Sequence, residues 1–202
     1  MWWRELQRLS ADSAAAGSFQ VDPTAEVSPE ARLNTDRGPI AIGPRTRVCP
    51  GAYIEGPVVI GADCMIGNMA MVRGSTTIGD DVRVGFATEI KNAIVQEQVT
   101  IGPQCFVADS KVERGAYLGA QVRTSNHRLD RRSVEVMVDG RRFDTGMDKL
   151  GCLIGERASL GIQVIVLPGR EIAAGSIFAP KSVVERNLPT GRYRPAQQLE
   201  SF

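Results

Sequence analysis

The stretch Arg123–Arg132, RTSNHRLDRR, holds the one histidine of this 202-residue chain, set behind an asparagine and among arginines. An imidazole accepts a proton readily near neutral pH, so His127 is the candidate general base. A lone loop histidine is as readily a solvated surface residue, and both readings stand at this point. Few other residues compete for chemistry. The four cysteines, Cys49, Cys64, Cys105 and Cys152, show no CxxC spacing, and one histidine leaves no Cys/His set to hold zinc. They read as reduced, mostly buried thiols, and no metal is expected. With 24 Lys and Arg against 23 Asp and Glu, no broad field would gather nucleic acid or an anionic membrane, so any anion site must be local.

The elements that must position His127 show themselves as a repeat. Ile42, Val48, Ile54, Ile60, Ile66, Val72, Ile78, Val84 and Ile90 are aliphatic at a constant spacing of six. Four residues after each, from Thr46 to Thr88, stands a small or β-branched residue. After one-residue slips the run resumes at Val95, again at Val112, and later from Ile154 to Val184, with a weaker opening set at Val21, Val27 and Leu33. A period of six fits neither the 3.6 of a helix nor the 2 of a strand, but it fits short strands joined at regular corners, three hexapeptides to a triangular coil. Glycine often follows the aliphatic residue, as at Gly43, Gly61, Gly79 and Gly85, where it suits a corner. The expected fold class is therefore all-β, a parallel β-helix of about eight coils over residues 21–190.

Two segments leave the period. Residues 1–20, with Trp2, Trp3, Leu6 and Leu9 at helical spacing, read as a short amphipathic helix that caps the open end of the solenoid or meets a neighbouring subunit. Residues 125–150 form an excursion in which VEVMVDGRRF alternates and then turns at Asp139-Gly140, the pattern of a β-hairpin. Residues 191–202 read as an extended basic tail. The apolar runs are short, and Arg4, Glu5 and Arg8 interrupt any signal-type segment, so a cytoplasmic protein without membrane contact is expected.

At EIKNAIVQEQVTIGPQCFVADS and KLGCLIGERASLGIQVIVLPG the chain resembles the carboxy-terminal acetyltransferase domains of bifunctional sugar-1-phosphate nucleotidyltransferase/acetyltransferases, which are hexapeptide-repeat acyltransferases. The bacterial glucosamine-1-phosphate acetyltransferase is among them, and archaeal-type relatives, with the same hairpin between NHRLD and KLG, resemble the chain more closely than it does. The resemblance spans roughly residues 40–195, and no GxGxxR pyrophosphorylase opening precedes it, so the chain looks like the acetyltransferase half standing alone. It implies a left-handed coil, a homotrimer with its active site between subunits, and acetyl-CoA as co-substrate. The acceptor it implies is an amino group, or less readily a hydroxyl, of a sugar phosphate or nucleotide sugar.

Residue by residue, the resemblance maps the phosphate-holding cations onto Arg73 in MVRGS and Lys91 in EIKN; two cations one coil apart suit a dianion. At the acyl site the chain departs from the pattern. The family's histidine falls on Pro103, its tyrosine on Phe106 and an asparagine on Tyr117, while Asn126 alone is kept, so His127 becomes the relocated base. For coenzyme A the resemblance marks Gly161, Ala179, nearby Lys181, and Arg194 for the 3′-phosphate; corner geometry alone also explains Gly161 and Ala179. A different function fits the same residues: a catalytically silent β-helix that binds a sugar phosphate or serves as an assembly subunit, since Pro103 cannot take a proton and Phe106 has no hydroxyl. A γ-class carbonic anhydrase shares the fold but needs three histidines on zinc, which one histidine excludes.

Overall fold

A side chain that must enter a stacked interior once every six residues forces the backbone to turn at the same interval. In the computed structural model, which describes residues 1–12 and 20–196, the left-handed backbone region recurs at Arg45, Gly51, Asp63, Met69, Asp81 and Ala87, one residue per corner. Between corners run strands of two or three residues, each paired in parallel with the strand one coil later. They build three sheets of eight, nine and eight strands, and these enclose the core of a left-handed parallel β-helix. Every aliphatic from Ile42 to Ile90 in the six-residue series is at most 3% exposed. Each such side chain contributes about 1.5–3 kcal/mol by leaving water.

The coils that carry the site are the third to the eighth. The third consists of strands Val58–Ile60, Met65–Ile66 and Met71–Arg73 on the first, second and third sheets. The fourth has Thr76–Ile78, Arg83–Val84 and Glu89–Lys91, and the fifth Ile94–Val95, Thr100–Ile101 and Phe106–Ala108. The sixth has Lys111–Val112, Tyr117–Leu118 and Arg123–Thr124. The seventh resumes 42 residues further on, with Leu153–Ile154 in parallel register on Lys111–Val112. The excursion thus leaves the core stack continuous.

Four expectations need correction. The glycines after the aliphatics do not supply the left-handed turns. A Cβ on Gly85 would stand 2.6 Å from both Gly102 C and Pro103 N of the next coil, so glycine is there because successive backbones stack too closely for a side chain. The coil count passes eight, because Leu188 bridges Ile172 and a further strand, Arg192–Tyr193, pairs with Ile177–Phe178 to begin a ninth. For the same reason the basic tail starts later than residue 191: Tyr193 stacks on Phe178 with ring centroids 4.9 Å apart. Residues 197–202 of that tail lie outside the described residues.

The fourth correction concerns the helix. It spans Trp2–Asp12, and residues 13–19 of the expected cap lie outside the described residues. It does not cover an end of the solenoid, for Val21, Val27 and Leu33 of the first coil stay half-buried. Instead Trp2, Trp3 and Leu6 form a second core with Val134, Val136 and Leu150 of the excursion, flanked by Ile94 and Leu153 of the first sheet. Lys111 Nζ reaches Glu5 Oε2 at 2.8 Å and Trp2 Nε1 donates to Glu171 Oε1 at 2.9 Å. The excursion needs this partner because its hairpin, Glu135–Val138 with Arg141–Asp144, turns at Asp139 and Gly140 (φ 47° and 74°) and buries one apolar face that the solenoid alone does not cover.

Candidate active site

Alternation along the third sheet decides which side chains face outward. In Glu89–Lys91 the middle residue, Ile90, enters the core, so Glu89 and Lys91 point out. Register then sets Lys91 beside Arg73 one coil below and Ala108 one coil above. The two cations are not equivalent. Arg73 places NH2 and Nε at 2.7 and 2.9 Å from Glu89 Oε1. Lys91 Nζ lies 5.8 Å from the centre of the Phe106 ring, with no carboxylate at ion-pair distance among the described residues. Phe106, which lacks the family's hydroxyl, here supports a cation.

Beyond these strands the third sheet turns into the first, and a polar ladder climbs the corner. Asn92, Asp109 and Asn126 occupy equivalent positions 17 residues apart, where Asp109 Oδ1 accepts from Asn92 Nδ2 at 3.2 Å and Asp109 Oδ2 from Asn126 Nδ2 at 2.5 Å. Asp109 is only 8% exposed and takes the left-handed conformation. Its backbone is held from both sides, donating to Lys91 O at 3.0 Å and accepting from Gly151 N at 2.7 Å. Sequence reasoning missed Asn92 and Asp109. The available signal was their common 17-residue spacing to Asn126, which coincides with the two one-residue slips of the repeat.

His127 follows Asn126 directly and pairs by an antiparallel bridge with Lys149, at the foot of the excursion. It is exposed, and its Nδ1 lies 3.1 Å from the Asp148 carbonyl oxygen. A carbonyl can only accept, so this bond puts the proton on Nδ1 and leaves the Nε2 lone pair of the neutral ring free. The neighbouring Arg128 grips Asp130 through Nε and NH2 at 2.8 and 2.5 Å. Hydrogen bonding from that guanidinium holds the Asp130 carboxyl well below the usual carboxylate range.

The residues marked for coenzyme A gather on the opposite edge, where the second sheet turns into the third. Gly161 and Ala179 stack across the seventh and eighth coils, Lys181 follows in the left-handed region, and Arg194 comes directly after the last strand. Beside them Gln121, Arg123, Gln163, Ile165, Lys181 and Val183 line a shallow groove of about 480 Å³. The Gly161 and Ala179 amides are not free for a ligand, because they donate to Phe178 O and Tyr193 O, both at 2.8 Å. What remains on offer there is close approach and carbonyl lone pairs. Tyr117 stands on the second sheet, 51% exposed, so within one chain it does not join Arg73 and Lys91 on the third. Pro103 occupies an exposed corner of the fifth coil. Among the described residues no group of three or more His, Cys, Asp or Glu could hold a metal ion, and no helix is long and apolar enough to cross a membrane.

The family model for the GMPPB C-terminal domain matches residues 36–139, which include Arg73, Lys91, the corner ladder and His127. The chain belongs to this family. The chain is 54% identical over 174 residues to the putative uncharacterized acetyltransferase YaiX of Escherichia coli, covering 86% of this chain and 76% of that protein. It is 34% identical over 109 residues to the bifunctional sugar-1-phosphate nucleotidylyltransferase/acetyltransferase of Sulfurisphaera tokodaii, over 54% of this chain but only 27% of that protein's length. Among solved structures, WeeI from Acinetobacter baumannii AYE aligns with 86% of this chain and 60% of its own, at 14% identity and a TM-score of 0.43; that superposition is too loose to build on.

Proposed function

We propose that this protein is an acetyl-CoA-dependent acyltransferase that acetylates an amino group of a sugar phosphate or nucleotide sugar, working as a homotrimer. The observation that carries it is the bond from His127 Nδ1 to the Asp148 carbonyl, next to the Asn92–Asp109–Asn126 ladder. It fixes the tautomer a general base requires. The acetyltransferase relatives support the reaction class.

In this reading Nε2 of His127 takes a proton from the acceptor amine as its nitrogen attacks the thioester carbonyl, and the amide nitrogen of Asn126 steadies the oxyanion with its N–H not given to Asp109. Collapse of the tetrahedral species forms the amide and expels the coenzyme A thiolate, which receives the proton from His127. Lys91, with Arg73 beside it, holds the acceptor's phosphate. Lys181 and Arg194 hold the phosphates of coenzyme A, in the groove beside Gly161 and Ala179. The histidine and coenzyme edges lie on opposite sides of the third sheet, so a trimer would complete the site by bringing one protomer's groove to its neighbour's histidine, with Tyr117 contributed across that interface.

The test is acetyl transfer to a panel of amino-sugar phosphates and nucleotide sugars, followed by mass and by release of coenzyme A thiol. His127→Ala should lower the rate by about a hundredfold or more while the rise in melting temperature caused by acetyl-CoA is kept, since base catalysis contributes ~10²–10⁴ and acts mainly in the transition state. Full activity in the variant would remove His127 from the reaction. A second reading, a β-helix that binds a sugar phosphate without acylating it, is favoured by Pro103 and Phe106; it requires acetyl-CoA to leave the wild-type melting temperature unmoved.

A further inference from the structure

Between the excursion and the last coils lies a cavity of about 720 Å³ whose lining includes Arg128, Arg142, Arg170 and Arg186 against Glu135 and Glu185. Four lining cations against two lining carboxylates leave two positive charges, one of them offset by Asp130, which pairs with Arg128. Arg170 is the fixed point. Its Nε donates to Pro168 O at 3.1 Å and its NH2 to Glu135 O at 3.0 Å. These carbonyls orient the guanidinium without cancelling its charge. Arg142 stands a loose 3.7 Å from Glu135 Oε2, Arg186 is exposed with no ion pair among the described residues, and only Arg128 is neutralised, by Asp130.

We propose that this cleft is a second anion site, built around Arg170, that takes the diphosphate group of a nucleotide-type ligand. The cations come from three places: Arg128 and Arg142 from the excursion, Arg170 from the corner of the seventh coil, and Arg186 from the end of the eighth. Such an arrangement surrounds a diphosphate rather than touching it from one side, and guanidinium forks match phosphate oxygens two at a time. The volume falls within the range of small-molecule sites. Burial, and after it the nearby Arg142 and Arg128, push the Arg170 pKa below its ordinary value, the mark of a cation that an anion would relieve. Because Arg128 follows His127 directly, the cleft adjoins the proposed base. With coenzyme A placed at Lys181 and Arg194, its ligand is the diphosphate of the nucleotide-sugar acceptor, and that choice alone rests on the function proposed above.

Calorimetric titration of the intact protein with inorganic pyrophosphate tests the site directly. Saturable binding is expected, weakened by about tenfold or more in the Arg142→Ala/Arg186→Ala double variant, whose exposed positions should leave the unliganded melting temperature unchanged. In Lys91→Ala the binding that the double variant loses should persist. Displacement of pyrophosphate by uridine diphosphate assigns the cleft to the acceptor; displacement by acetyl-CoA alone would overturn that assignment. No binding at millimolar pyrophosphate, equal binding by the double variant, loss of binding in Lys91→Ala alone, or displacement by neither nucleotide would overturn the proposal. Pyrophosphate binding is read without any acetyl transfer, so this site can fail while the enzyme stands, and the reverse.

Discussion

At the scale of single residues, company matters more than type. Arg73 and Lys91 carry the same charge on adjoining coils, yet Arg73 spends its guanidinium on Glu89 while Lys91 faces an aromatic ring and stays available for an anion. Burial draws a similar distinction among the thiols. All four cysteines are free and buried, and burial pushes the wholly enclosed Cys152 thiol up to about 12. An acid whose folded pKa lies above its unfolded value near 8.5 contributes stability that is fully present below that value and lost as pH rises toward the folded one. Melting temperature should hold up to about pH 8.5 and then fall, with Cys152 contributing about 1.4 kcal/mol per pH unit across the window. Cys152→Ala should flatten that alkaline fall in a scan of melting temperature against pH. An unaltered slope in the variant would show that Cys152 is not the group responsible.

At the scale of elements, the solenoid is held by what glycine permits between coils. A Cβ on Gly43 would stand 2.7 Å from Gly61 C, and one on Gly85 2.6 Å from Gly102 C, so these positions set the distance at which successive strands bond. Gly85→Ala should force the fourth and fifth coils apart locally, at a cost of about 1–3 kcal/mol, the usual scale of overpacking. In a chain of this length each kcal/mol lowers the melting temperature by about 2–4 °C, and a scanning-fluorimetry shift near zero would show that the coils can slide apart freely. The helix and hairpin form a separate unit with its own core. Trp3, 5.8 Å from the Phe143 ring, ties the helix to the excursion that carries His127. Packing of the amino-terminal helix is in this way connected to the placement of the candidate base.

At the scale of the whole molecule, the side that bears the coenzyme groove is also the side with unusual apolar exposure. Phe86, Met69 and Ile162 stand out along the corner between the second and third sheets, and Met71, Ile165 and Val183 along the face of the third. A trimer would cover this side and complete the proposed site in the same step. Light scattering should give a mass near three times 21.8 kDa. Phe86→Asp should shift that mass toward the single chain and remove acetyl transfer while the circular dichroism of the β-helix persists. A wild-type monomer, active or not, would rule out a shared site.

What the sequence determined by itself was whatever repeats locally. An aliphatic side chain every six residues must be buried, and burying it so often leaves little but a coil of short strands, so the solenoid from Ile42 to Val184 was legible one hexapeptide at a time. The hairpin was legible as well, because alternation and an Asp-Gly turn act within ten residues. The resemblance likewise carried Arg73 and Lys91 to adjoining coils, where register paired them. Only the tertiary structure decided the rest. The Asn92–Asp109–Asn126 ladder exists because one-residue slips bring side chains 17 apart into line. The helix lies along the first sheet because the hairpin's apolar face, more than a hundred residues away in the chain, offers Trp2 and Trp3 more burial than the open end does. The arginine cleft likewise joins charges from Arg128 to Arg186 that no local pattern connects. Hydrophobic periodicity is a property of neighbours in sequence, whereas charge and burial are summed over neighbours in space.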